Sequence, residues 1–114
     1  MISRKESFEL EIRENMRGGA GSVIVKDFTK GVKPINVRLF SELTLYENCE
    51  IGLHTHENET EMFYILSGEG EYTDGSEKHA VKTGDFTICG SGESHAVKNI
   101  GKEPLVIMAV IVLI

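Results

Sequence analysis

A single all-β domain, built as a sandwich or a barrel, is predicted by three observations. Short runs rich in β-branched and aromatic residues follow one another along the chain, turn-formers separate them, and helical periodicity is weak. The runs are Ser22–Phe28, Asn36–Leu45, Glu50–His56, Glu61–Ser67, Glu69–Thr73, His79–Lys82, Phe86–Cys89, His95–Asn99 and Leu105–Ile114. The separators are Lys30-Gly31, Lys33-Pro34, Glu47-Asn48, Asp74-Gly75, Thr83-Gly84-Asp85 and Asn99-Ile100-Gly101.

Taken in order, residues 3–16 carry only a weak helical signal, which Gly18-Gly19-Ala20-Gly21 ends. Residues 1–21 therefore read as an N-terminal arm, and residues 22–114 as the β-domain. Within Asn36–Leu45, Val37, Leu39, Leu43 and Leu45 fall on one face, as in a half-buried antiparallel strand. Asp74-Gly75, between Tyr72 and His79, is the clearest hairpin turn. Leu105–Ile114 has no polar face, so it requires cover on both sides, in the core or against a second subunit.

The 114 residues suffice for one core and leave no room for a second domain of ordinary size. The 12 basic and 18 acidic residues give a net charge of −6, with the basic ones scattered. That disfavours nucleic acid and anionic membrane surfaces as partners. The longest apolar run, ten residues, is half of the roughly 20 a membrane helix needs. The N-terminus leads into charge and not into an apolar signal segment. Cys49 and Cys89 lack CxxC spacing and read as reduced, half-buried residues. The chain reads as cytoplasmic.

Chemistry concentrates in one stretch. In Gly52-Leu53-His54-Thr55-His56-Glu57-Asn58-Glu59-Thr60-Glu61, residues two apart on a strand share a face, so His54 and His56 project together. Glu61 opens the next strand and can turn its carboxylate back toward them. His95 follows a glycine-rich turn, Gly90-Ser91-Gly92. Three imidazoles and one carboxylate form a mixed ligand set for one divalent transition ion: Mn, Fe, Ni, Co or Zn. Octahedral ions would keep two positions open to substrate, whereas tetrahedral zinc would be filled by the four. Glu57 and Glu59 read as turn surface, His79 as polar surface and Arg38 as a solvated arginine. By strand parity Phe63 and Ile65 line the cavity with Glu61, and Tyr64 points away. The same parity puts Glu50 and Gly52 on the face of His54, with Cys49, Ile51 and Leu53 opposite. Val97 and Asn99 share the face of His95.

These residues resemble the cupins, and in particular the small single-domain members. Their first motif, G-x5-H-x-H-x(3,4)-E-x6-G, meets Asn48, His54, His56, Glu61 and Gly68. Their second, G-x5-P-x-G-x2-H-x3-N, meets Gly84, Gly90, Gly92, His95 and Asn99. Only Asn48 for glycine and Gly90 for proline depart, and both residue types turn readily. The resemblance implies a double-stranded β-helix (jelly-roll barrel) holding one metal ion at His54, His56, Glu61 and His95. It further implies a homodimer and a small oxygen-rich or anionic substrate, turned over by a dioxygenase or lyase reaction. A non-catalytic module that binds a metal or small ligand is the alternative, as is a sugar-phosphate isomerase. Oxalate decarboxylases of the family carry an arginine three residues before the first ligand histidine; Ile51 stands there in this chain.

Overall fold

The computed structural model describes residues 1–114. Ten strands form: β1 (Leu10–Glu14), β2 (Ser22–Asp27), β3 (Val37–Leu45), β4 (Glu50–Thr55), β5 (Glu59–Ser67), β6 (Glu69–Asp74), β7 (Glu77–Lys82), β8 (Phe86–Cys89), β9 (Ser94–Asn99) and β10 (Leu105–Leu113). They make two antiparallel sheets in a jelly-roll arrangement, ordered β1-β2-β3-β10-β5-β8 and β4-β9-β6-β7. The expected all-β architecture is the observed one. β6 and β7 are joined by the expected tight hairpin, Asp74 pairing with Glu77 across Gly75-Ser76.

The core lies between the sheets. From the larger sheet it takes Val23, Val25, Leu43, Leu45, Phe63, Ile65, Leu105, Ile107 and Ala109; from the smaller it takes Ile51, Tyr72, Val81 and Val97. Alternation explains the choice, since each strand turns every second side chain inward. β10 is the central strand of the larger sheet, bonded to β3 on one side and β5 on the other. Its two faces part company. Leu105, Ile107, Ala109 and Ile111 are buried, while Val106, Met108, Val110 and Val112 are half-buried on the outer face.

The outer face of that sheet is apolar well beyond β10. Val110 sits beside Met62 and Met108 beside Tyr64. Met62 and Tyr64 in turn neighbour Ile88 and Phe86, both more than half exposed.

The helical turns anticipated over residues 3–16 are not there. That region holds one 3-10 turn, Lys5–Ser7, and then β1, which pairs along β2. An edge strand offers a full row of unpaired backbone groups, and bonding to it outweighs a weak helical preference. A second 3-10 turn, Met16–Gly18, follows and packs on β4. The packing is backbone against backbone: a Cβ on Gly52 would collide with the Arg17 carbonyl oxygen, and one on Gly19 with the Glu50 carbonyl. A hydrogen bond from Glu50 N–H to the Ala20 carbonyl, 2.9 Å, fixes the join.

Gly52→Ala should therefore push Met16–Gly18 off β4 and cost about 1 to 3 kcal/mol, as overpacking does elsewhere. Chemical denaturation checks this; a loss under about 0.5 kcal/mol, the size of an ordinary surface substitution, would mean the segment is not docked as described.

Candidate metal centre

The two sheets bring the four singled-out side chains together. His54 on β4 pairs directly with His95 on β9, so their side chains lie side by side on one inner face. Glu61 projects from β5 on the opposing sheet. His56 follows the end of β4, where its backbone is gripped by the glycine turn: Gly92 N–H donates to the His56 carbonyl at 2.6 Å, and His56 N–H to the Glu93 carbonyl at 3.1 Å. Gly92 has φ +83, a conformation for which glycine carries no steric cost. This is how the two motifs, far apart in sequence, close on each other.

Their polar atoms converge. The three Nε2 atoms stand 3.1, 3.1 and 3.2 Å apart. Glu61 Oε1 lies 3.0 Å from His56 Nε2, 2.9 Å from His95 Nε2 and 3.8 Å from His54 Nε2. Each ring's other nitrogen faces an acceptor. His54 Nδ1–H donates to the Gly52 carbonyl at 2.7 Å, and His56 Nδ1–H to the Glu59 carboxylate at 2.6 Å. Tyr72 Oη, 2.8 Å from His95 Nδ1, is placed to accept its proton. With the proton held on Nδ1, each Nε2 presents a lone pair to the centre. Three lone pairs and a carboxylate oxygen at such distances call for a cation.

The spacing can be set beside the two common coordination geometries. With donors about 2.1 Å from the ion, an octahedron sets neighbours about 3.0 Å apart and opposed donors about 4.2 Å apart, whereas a tetrahedron sets every pair about 3.4 Å apart. Five short separations and one long one, between His54 and Glu61, follow the octahedral pattern with Glu61 opposite His54. The donor set is one that could hold a divalent metal ion.

The surroundings tune the donors. Burial lowers the His95 pKa and favours its neutral, ligating form. Phe63 stacks on the His95 ring, with centroids 5.1 Å apart and planes 21° apart. With no cation bound, the histidines can instead carry a proton on Nε2: burial by itself would raise the Glu61 pKa, but hydrogen bonds from the three histidines then hold it well below the usual carboxylate range. The same contact to Glu61 chiefly raises the His56 pKa, and a bound cation would replace it. Burial keeps the Tyr72 phenol protonated far into alkali.

Comparison with known proteins identifies the family. The family model described as "Cupin domain" matches residues 42–111. This chain is a cupin. It is similar to a protein of Thermotoga maritima named "Oxalate-binding protein", 38% identical over all of this chain and 95% of that one. It is also similar, at TM-score 0.93 and 38% identity over the whole of both chains, to the crystal structure of a predicted oxalate decarboxylase from that organism. A sugar phosphate isomerase of the cupin superfamily from Silicibacter pomeroyi shares the fold, with TM-score 0.80 at 16% identity over all of this chain and 76% of that one.

In this cupin the site departs from the sequence expectations at three places. Glu59 is not turn surface. It is 9% exposed and bridges His56 to Arg38, whose Nε and Nη2 donate to its two carboxylate oxygens at 2.7 and 2.8 Å. Arg38 accordingly turns toward the site and lines its cavity, together with Arg13 and Arg17 from the N-terminal segment. Strand parity also fails on β4, where the ladder to β9 shifts register between Ile51 and His54. The bulge brings Ile51 to the cavity wall and leaves Glu50 off it.

Most other expectations match. Tyr64 is exposed and His79 lies at the surface beside Glu77, whereas Phe63 and Ile65, expected to line the cavity, point inward but pack in the core instead of its wall. Asn48 takes the left-handed turn with φ +65. Asn99 is wholly buried and ties its turn to the Leu45 and Glu103 carbonyls at 2.8 and 2.9 Å. Both cysteines are free, and burial pushes the Cys89 thiol up to about 11.

The Arg38 guanidinium, and secondarily His56, hold the Glu59 pKa down to about 2 from 4.5. A carboxylate with a lowered folded-state pKa stabilises the fold above its unfolded value and loses that contribution as the pH falls. In chelator-treated protein, Glu59→Gln should cost about 1 to 2 kcal/mol at pH 7, the Arg38 side being half exposed to solvent. The difference from wild type should shrink as the pH drops from 4.5 toward 2. Urea unfolding across that range checks it, and a deficit independent of pH would show that packing, not the ion pair, is lost.

Proposed function

We propose that this cupin binds one octahedral divalent transition ion through His54, His56, Glu61 and His95, and uses it to take up a small oxygen-rich anion. The observation that carries the proposal is the pattern of five short and one long donor separations around a common centre. With three neutral imidazoles and one carboxylate, a divalent ion retains a net charge of 2 − 1 = +1, which suits an anionic ligand. The names of the Thermotoga maritima relatives, both of which mention oxalate, support the same chemistry.

A bound ion would supply Lewis acidity to ligand oxygens. The chain's part is to hold and surround it. The Gly52 carbonyl and the Glu59 carboxylate fix the tautomers of His54 and His56, and Tyr72 holds the His95 ring through its hydroxyl. A cavity of about 200 Å³ opens on His54, His56 and Glu61. At about 30 Å³ per water, that is room for some seven waters or a compact molecule of similar size. Apart from His54, His56 and Glu61, the cavity wall carries arginines and apolar side chains and no free acid or base. This favours binding as the basic function. Turnover by a lyase or dioxygenase reaction is the second reading; chemistry centred on the ion is compatible with such a wall, and oxygen-uptake and carboxylate-loss assays test it.

A homodimer in a reducing, cytoplasmic setting completes the proposal. It is supported by the apolar outer face of the larger sheet and by the unpaired cysteines.

Elemental analysis of untagged protein purified without chelator should find near-stoichiometric Mn, Fe, Co or Ni. His54→Ala/His56→Ala should lose it, and His95→Ala should lose far more than His79→Ala. Tetrahedral zinc at full occupancy, or equal metal in all variants, would overturn the assignment. Sedimentation should show a dimer for the native chain and a monomer for Phe86→Lys/Ile88→Lys; a native monomer would remove the dimer from the reading.

A further inference from the structure

The cavity over the metal centre is lined by three arginines, Arg13, Arg17 and Arg38, and they are not equivalent. Arg38 is matched by Glu59 in a two-point ion pair at 2.7 and 2.8 Å. Arg13 is matched by Glu11, with contacts at 3.0 and 3.5 Å. Arg17 has no carboxylate within 4 Å and donates no side-chain hydrogen bond. It is a free cation at the mouth of a site that already calls for an anion.

Its placement is built by the backbone. Asn15 and Arg17 both take left-handed angles, φ 47 and 54, which non-glycine residues adopt at a cost and keep only where the surroundings impose them. Here Asn15 N–H donates to the Gly21 carbonyl at 2.8 Å, and Asn15 Nδ2 to the Gly19 carbonyl at 3.1 Å. The glycine contacts with β4 press the same turn against the strand that carries His54. The segment is therefore folded onto the metal-bearing strand with Arg17 at its apex.

We infer that Arg17 is a specificity-determining residue that binds the far carboxylate of a small dicarboxylate whose near oxygens sit at the metal centre. This rests on the metal reading proposed above and adds a charge count to it. The loaded centre carries +1. Arg13 and Arg38 are neutralised by their partners, and Arg17 contributes a second +1. The cavity thus balances a dianion and leaves one charge unmatched with a monoanion. A guanidinium fork suits a carboxylate in two-point contact. Leu39, Leu43 and Ile51 supply the apolar part of the same wall, while Arg17 itself is exposed. The cavity volume of about 200 Å³ suits a compact dicarboxylate with a short spacer.

The test uses the full chain loaded with Mn²⁺, with calorimetric titration of Mn²⁺ first and then of oxalate, malonate, acetate and inorganic phosphate. Arg17→Met should bind Mn²⁺ within twofold of wild type. It should weaken oxalate by about ten- to hundredfold, the range of one charged hydrogen-bonded contact, and acetate by less than threefold. Arg17→Lys should fall between. Oxalate binding within twofold of wild type in Arg17→Met would overturn the inference, as would equal losses for oxalate and acetate. Phosphate binding as tight as oxalate would overturn the dicarboxylate assignment. Wild-type protein that takes Mn²⁺ but no dicarboxylate would sink this inference alone, and wild-type protein that takes no Mn²⁺ would sink the metal reading and this one together.

Discussion

Three imidazole nitrogens and one carboxylate oxygen point at a common centre between two β-sheets, and four of those six separations are no longer than 3.1 Å. Lone pairs at that distance repel one another unless a proton or a cation is shared between them. Much of what surrounds the centre serves that constraint. Gly52, Glu59 and Tyr72 each stand at an Nδ1 and so direct the opposite nitrogen inward. Glu59 is in turn held by Arg38, so the outermost member of this chain of contacts reaches the cavity wall. The donor geometry is therefore set by the protein's own hydrogen bonds.

The sheet architecture makes such preorganisation possible. His54 and His95 are register partners on one sheet, and Glu61 comes from the other. Their relative positions are fixed by ladders of backbone bonds and by a close-packed core that reaches up to His95 through Phe63. β10 anchors the larger sheet from its centre, and its inner side chains are fully buried. The apolar outer face of the same sheet is a consequence of the same pattern, because an uninterrupted apolar strand must present hydrophobic residues on both sides.

The N-terminal segment links fold to function in a different way. β1 adds itself to the sheet edge, and the turn after it lands on β4 through glycines that allow the backbones to touch. The cavity wall is thus completed by residues far in sequence from the metal motif, and these bring the charge that the motif itself lacks. Arg13 and Arg17 carry no local signal, since neither spacing nor periodicity relates residue 13 or 17 to residue 54.

How much was legible in the chain follows from the range over which each feature is determined. The β class, the hairpin at Asp74-Gly75 and the four converging donors rest on local alternation, turn chemistry and motif spacing, and the sequence determined them by itself. Phe63, Ile65 and Tyr64 went to their expected faces because β5 runs unbroken through them. Parity failed at Glu50 and Ile51 because a bulge shifts the ladder there, and a bulge depends on the partner strand. Glu59 and Arg38 read as surface because each is charged and lies in a polar neighbourhood; their pairing spans 21 residues and exists only once β3 and β5 flank β10. The tertiary structure alone decided the partners of the ring nitrogens, the donor spacing and the arginine-lined cavity, because each depends on distances between segments that only packing brings together.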